Sequence, residues 1–250
     1  MPGWLRPFVF PAVLVAALEA WTRTVGRGSD ALAPPSAAVV AWLAALGDGS
    51  LLAATGFTLG SAVLGLAVAA AMALPLGTVL GLARPAAAAS FLTVEMLRPV
   101  PSVALIPLAM LVFGFGVAME VSVVAFATFW PLLVLTQAAA RQVEPQLLEV
   151  ARALELTPAR RFVAIVLPAM VPRLFVALRL AVAVALVVAV TVEIAANPNG
   201  MGYAMMIAQQ SLKPALVLAW LFWIGFVGFV VNALTPRLQR WVAQRMGDGT

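Results

Sequence analysis

LLAATGFTLGSAVLGLAVAAAMALPLGTVLGL, residues 51–82, carries no charged side chain. As a helix rising 1.5 Å per residue it would extend about 48 Å, longer than the roughly 30 Å hydrocarbon core of a bilayer. No cluster of polar turn residues interrupts the run, so it reads as one long tilted helix rather than two short spans. Pro75 and Gly77 are the places where it would kink. Lipid is the natural solvent for such a segment.

The rest of the chain agrees. Of 250 residues, 64% are hydrophobic and 10% charged, against about 25% charged in an average soluble domain. Five further apolar stretches flank the first: Leu5 to Ala20, Pro99 to Phe115, Val117 to Ala140, Leu174 to Ala196 and Ala215 to Leu234. Trp4 and Trp21 bracket the first of these as interfacial anchors. A cleaved signal peptide is its alternative reading, although no small-x-small site precedes Glu19 and Trp21. Between Thr22 and Ser50 lie Gly26, Gly28, Asp30, Pro34, Pro35 and Asp48, which predict an extramembrane segment. A short helix is expected there, capped by Ser36 and running toward Leu46. The fold class is therefore all-α: a polytopic membrane protein with about six transmembrane helices. It forms a single transmembrane domain, 1–250, with its core at 51–236.

Positive charge sets the orientation. With both termini cytoplasmic, the inner side holds Arg6, Arg84, Arg98, Arg141, Arg152, Arg160, Arg161, Arg173, Arg237, Arg240 and Arg245. The outer side holds Arg23, Arg27 and Lys213. This is the charge bias of a multi-pass membrane protein with an even number of spans.

Several function classes are closed. The chain has no Cys and no His, which removes thiolate metal sites and the commonest general base and metal ligand. Met201, Met205 and Met206 are read as packing residues. A nucleotide-binding P-loop needs a lysine beside Ser or Thr after a glycine-rich turn, yet the only lysine is Lys213, in Leu-Lys-Pro. The net charge of +5 comes without a basic cluster interleaved with aromatics, which argues for contact with anionic lipid and against nucleic acid. No catalytic residue, metal or cofactor is expected. No internal repeat is visible, which weighs against a transporter built from two related halves.

The longest polar stretch, RQVEPQLLEVARALELTPARRFVAIVLPAMVP at 141–172, falls on the cytoplasmic side. Gln146 to Leu156 has helical spacing in Leu147, Leu148, Ala151 and Leu154. Thr157 then suits an N-cap with Pro158 at N1 of a second helix. That helix sets Phe162, Ile165 and Val166 opposite Arg160 and Arg161. Leu167-Pro168 is expected to break the pattern before the next span. On periodicity alone the pair fits a surface hairpin that seals a helix bundle.

Glu149-Val150-Ala151, followed by Phe162, Ile165, Leu167 and Pro168, resembles the EAA loop of binding-protein-dependent type I ABC importer permeases. VEMLRPVPS at 94–102, LIP at 105–107, FGFG at 113–116, VEIAA at 192–196 and GMGY at 200–203 are similar to its nitrate, taurine and aliphatic sulfonate branch. The likeness covers about Ala33 to Arg245. It implies a permease homodimer, two copies of a separate ATPase subunit and an external solute-binding protein. The chain itself would be no enzyme, and ATP would be hydrolysed on the partner. The implied coupling face comprises Glu149, Val150, Ala151, Arg152, Ala153, Glu155, Pro158, Arg160, Arg161, Phe162 and Pro168. Two positions depart from the family: Val150 stands where Ala is usual, and Glu155 where Gly is usual. Glu155 is expected to keep the segment helical. The branch points to a small oxyanion such as a sulfonate, taurine or nitrate, while related importers carry bicarbonate or thiamine precursors.

For the translocation pathway the candidates are Arg98, Pro101, Arg179, Glu193, Gly200 and Gly202. A carboxylate inside a span is a functional candidate by default, and Glu193 has an interfacial or capping contact as its alternative. Arg179 is close enough to its span's start to snorkel inward. Glu95 and Arg98 suit an i, i+3 pair, and Gly200 and Gly202 suit a sharp turn in an outer loop. A small secondary transporter or channel is the rival reading. It would need ion-coupling carboxylates at mid-membrane, and Glu193 lies near its span's end.

Overall fold

The computed structural model describes residues 6–25 and 32–245, with side chains from 9 to 25 and from 32 to 237. Trp4, Gly26, Arg27, Gly28 and Asp30, the side chains of Arg6, Arg240 and Arg245, and both termini lie outside the described residues. The described residues form helices joined by short connections, with no strand among them. Its elements are α1 (Arg6–Thr24), α2 (Pro35–Gly47), α3 (Ser50–Leu82), α4 (Arg84–Leu97), α5 (Ile106–Phe113) and α6 (Val117–Arg141). There follow α7 (Pro145–Ala153), α8 (Pro158–Arg161), α9 (Leu167–Ala195), α10 (Gly200–Gln210) and α11 (Pro214–Arg245).

The uncharged run is one continuous helix, α3, with Pro75 inside it. It packs along α6, and both pack on α9. Small residues let these backbones approach, as lipid-embedded interfaces require. A Cβ at Gly65 would sit 2.6 Å from Val124 Cγ1, and one at Gly77 would sit 2.8 Å from the Leu133 carbonyl oxygen. Ala177, Ala181, Ala185 and Ala189 recur every fourth residue on α9, all buried. They meet Ala69, Ala73 and Leu133 toward one end, and Ala62, Val123 and Val124 toward the other. Helices α2 and α11 close the side of the bundle. Trp42 packs on Trp223, and the Trp223 indole donates to Thr55 Oγ1 at 2.7 Å.

Six spans were expected; among the described residues four helices are long and apolar enough to cross a membrane. The segment from Pro99 to Phe115 is not a straight span. Pro99 and Pro101 end α4, a 3₁₀ turn follows at Ser102–Leu105, and α4 and the Ser102–Phe113 unit meet at 82°. Counted as one broken span, they make a fifth. Helix α1 is a single helix but falls below the hydropathy of the others, because Glu19 and Arg23 lie within it.

Three local expectations need correction. Leu167-Pro168 does not break the chain, which is helical from Pro158 to Ala195. A π turn at Phe162–Val166, with the Leu167 N–H donating to the Phe162 carbonyl, widens the helix just before Pro168. The proline ring thereby avoids the clash it would cause in a regular α-helix. Helix α2 begins at Pro35, and Ser36 is not its cap. Instead the Ser36 N–H and Oγ both donate to Glu19, tying α2 to α1. The stretch after Asn197 is no open loop but holds α10, whose Gly200, Met201, Gly202 and Ala208 are buried.

Candidate functional site

The candidate residues fall in three places. At one end of the bundle, α6, α7 and the π turn make a closed corner. Leu148 of α7 packs against Ala139, Ala140, Val143, Val166 and Met170. Ala151 is 1% exposed. About a quarter-turn round the helix, Leu147 and Val150 of α7 and its C-cap Leu154, all exposed, stand at i, i+3 and i+7 and form one ridge. Glu149, Arg152 and Ala153 are also exposed. Thr157 caps α8 as expected, its Oγ1 accepting from the Arg160 N–H at 3.4 Å, with Pro158 opening the helix. Arg160, Phe162 and Pro168 are exposed and Arg161 half-buried.

Glu155 does not continue the helix. Its φ of 48° is left-handed. Its N–H donates to the Arg152 carbonyl at 2.9 Å, and the Leu156 N–H to the Ala151 carbonyl at 3.0 Å. This pair of bonds is a Schellman ending, whose left-handed residue is usually glycine. The backbone therefore takes the shape a glycine favours, with a glutamate in its place.

The second place is the break between α4 and α5. Arg98, Val100 and Ser102 line a cavity of about 430 Å³ together with Phe126, Trp130, Pro131 and Val134 of α6 and Leu180, Val184 and Val188 of α9. Trp130 and Leu180 stand near the middles of their helices, so Arg98 lies beside the mid-depth of the bundle and not at the end where α7 sits. The prolines after Leu97 end α4 short and leave Arg98 at the bend. Its Nη1 is 3.7 Å from Glu95 Oε1, the expected i, i+3 pair, and both side chains are about half exposed. Pro101 caps the 3₁₀ turn beside it. Arg179 is elsewhere: its Nε donates to Asn232 Oδ1 of α11 at 3.3 Å. With the helix running unbroken from Pro158, Arg179 is also deeper than one or two turns from its start.

The third place is a buried network at the end of the bundle away from α7. Glu193 is fully buried, and its Oε2 accepts from the Gly202 N–H at 2.8 Å in the first turn of α10, so it makes the helix-capping contact of its alternative reading, within the protein and not at an interface. Gly200 has φ 91°, and a Cβ there would strike the Glu193 carboxylate. It is the turn residue expected, whereas Gly202 is helical and needed for close approach to Val190. The Met201 N–H donates to Thr58 Oγ1 of α3 at 3.0 Å. Glu120 of α6, not among the sequence candidates, is also fully buried and accepts from Asn197 Nδ2. Among the described residues neither carboxylate has an ion-pair partner, and Oε1 of each lacks any hydrogen-bond partner. Its signal in the sequence was a carboxylate one turn inside a span. The network joins α3, α6, α9 and α10 at one point.

Comparison with known proteins fits this layout. The model of the family described as "Binding-protein-dependent transport system inner membrane component" matches residues 72–248. The chain belongs to that family, and it is a multi-pass inner-membrane permease of the type I ABC importer class. It is 28% identical to the putative aliphatic sulfonates transport permease protein SsuC of Bacillus subtilis, over 95% of this chain and 86% of that one. A putative ABC transporter permease of Methanocaldococcus jannaschii is 30% identical over 75% of this chain and 70% of its own. The bicarbonate transport system permease protein CmpB of Synechococcus elongatus is 27% identical over 73% and 66%. Among solved structures, an inward-facing MetNI methionine ABC transporter chain superposes with a TM-score of 0.64 at 17% identity, over 74% of this chain and 92% of that chain. That likeness concerns the fold.

Proposed function

We propose that the chain is the pore subunit of an importer that carries a small oxyanion, such as a sulfonate, taurine or nitrate, and that α7 is the handle by which a separate ATPase moves it. The observation that carries this reading is the exposed ridge of Leu147, Val150 and Leu154 on a short helix held to the bundle end by Ala151. An apolar ridge flanked by Glu149 and Arg152 suits docking into a partner's groove.

The mechanism follows from what α7 touches. Leu148 packs against the ends of α6 and α9, and Ala151 beside it is buried. Closure of an ATPase dimer around ATP would push α7, and the push would pass as a rigid-body movement to α6 and α9. Their middles line the Arg98 cavity, and their far ends hold Glu120 and Glu193. The inner end would thus work a gate at the outer end. ATP hydrolysis belongs to the partner. The working unit is two copies of this chain, two ATPase subunits and a binding protein on the α10 side. Residues 1–250 form one domain with its core at 51–236 and its coupling loop at 141–172, and both termini share the ATPase side. The names of SsuC and CmpB support a small anion as cargo.

The test is uptake into proteoliposomes holding the assembled complex. Glu149→Arg, or Ala151→Trp, which would lift α7 off its corner, should leave membrane insertion intact and abolish ATP-driven uptake. Normal uptake by both variants would count against the docking role. Uptake by the chain without ATPase or ATP would favour a secondary transporter or channel.

A further inference from the structure

We propose that the cavity at the α4–α5 break is a substrate site for a singly charged organic acid with an apolar body, and that Arg98 holds its head. The proposal rests on the permease reading and narrows its cargo. An arginine about half exposed beside the middles of two spans cannot face hydrocarbon at low cost; it must face water, cargo or a second copy. Its Glu95 contact is loose, at 3.7 Å, and leaves most of the five guanidinium N–H donors free for an acid group. Ser102 also lines the cavity and brings a hydroxyl to its wall. Glu95 offsets part of the positive charge, so a monoanion suits the mouth better than a dianion such as sulfate.

The rest of the wall sets the body of the ligand. Phe126 and Trp130 stand edge to face with centroids 5.7 Å apart, and Leu180, Val184 and Val188 close the other side. Nitrate or bicarbonate would leave this apolar wall unused, and about 430 Å³ lies within the usual range for organic ligands. An aliphatic or aromatic sulfonate, or a carboxylate of like size, uses both ends. The same residues line the helices that α7 would move, so cargo held here would feel the push.

The experiment uses the permease–ATPase complex in nanodiscs, without binding protein, and radiolabelled toluene-4-sulfonate as probe. Binding should saturate, be displaced by pentanesulfonate, and resist displacement by nitrate and by 4-methylbenzylammonium, the same shape with opposite charge. Arg98→Gln should weaken it roughly ten- to a hundredfold, Arg98→Lys less, and Val184→Trp should abolish it by filling the wall. Unchanged binding in Arg98→Gln would overturn the site, and displacement by nitrate equal to that by pentanesulfonate would overturn the ligand class. Co-elution with the ATPase is read on the same samples. Loss of binding in a wild type that assembles defeats this site alone, whereas failure to assemble defeats the permease reading.

Discussion

Replacing Gly200 by alanine is the sharpest structural perturbation available. Gly200 has φ 91°, where an L side chain is strained, and its added Cβ would strike the Glu193 carboxylate. The strain costs about 1–2 kcal/mol. Moving Glu193 aside breaks its 2.8 Å bond from the Gly202 N–H and leaves a buried donor unsatisfied, at about 1–3 kcal/mol. The sum, about 2–5 kcal/mol, corresponds to a fall in melting temperature on the order of 5–15 °C for a chain of this size. Tryptophan fluorescence melts in nanodiscs would read it. Gly56→Ala is the control, since nothing lies within 4 Å of a Cβ there; a helix-interior glycine replaced without clash should gain about 0.5–1 kcal/mol. The double variant Gly200→Ala/Glu193→Ala should be far from additive, because the two residues share one contact. A Gly200→Ala protein melting within a degree or two of wild type, or an additive double variant, would refute the reasoning.

Other outcomes follow from the same geometry. Glu120→Ala should cost about 1–3 kcal/mol in the same melts by stranding the buried Asn197 amide, and Glu120→Gln, which keeps an acceptor, should cost less. Glu155→Gly should slow hydrogen exchange at the Leu156 amide a few-fold by relieving left-handed strain of about 1 kcal/mol, while Glu155→Val should speed it; the reverse order would contradict the Schellman ending. Gly81→Leu should impair folding by separating α3 from α6, since even a Cβ there strikes Ala140. Expression of a folded, wild-type-like Gly81→Leu protein would contradict that seam.

The spans were legible because lipid imposes a simple code of long uncharged runs, and α3 came out of the sequence nearly residue for residue. What misled was proline. Pro168 carries the same local signal as Pro99 and Pro101, yet a π turn absorbs the first and the other two bend the chain by 82°. The difference lies in neighbours that local propensity does not see. Helix α10 was missed because Gly200 and Gly202 read as turn residues, while Gly202 is there to let Val190 approach. Glu120 went unread because its partner Asn197 is 77 positions away, and a charge near a span's end ordinarily faces water. Glu155 was expected to extend its helix, but it takes a left-handed φ and the Glu155 and Leu156 N–H groups bond back to the Arg152 and Ala151 carbonyls, ending the helix there. The proposed coupling residues were legible only as a motif; that Leu148 faces inward while Leu147 faces outward needed the fold.

Because the chain has no native cysteine, a single Val150→Cys variant reports on α7 without background. In membrane vesicles, labelling by a membrane-impermeant maleimide should occur only from the cytoplasmic face, and bound ATPase should protect the thiol. Labelling from the outer face, or full labelling with the ATPase bound, would contradict the claim that this helix is where the motor grips the pore.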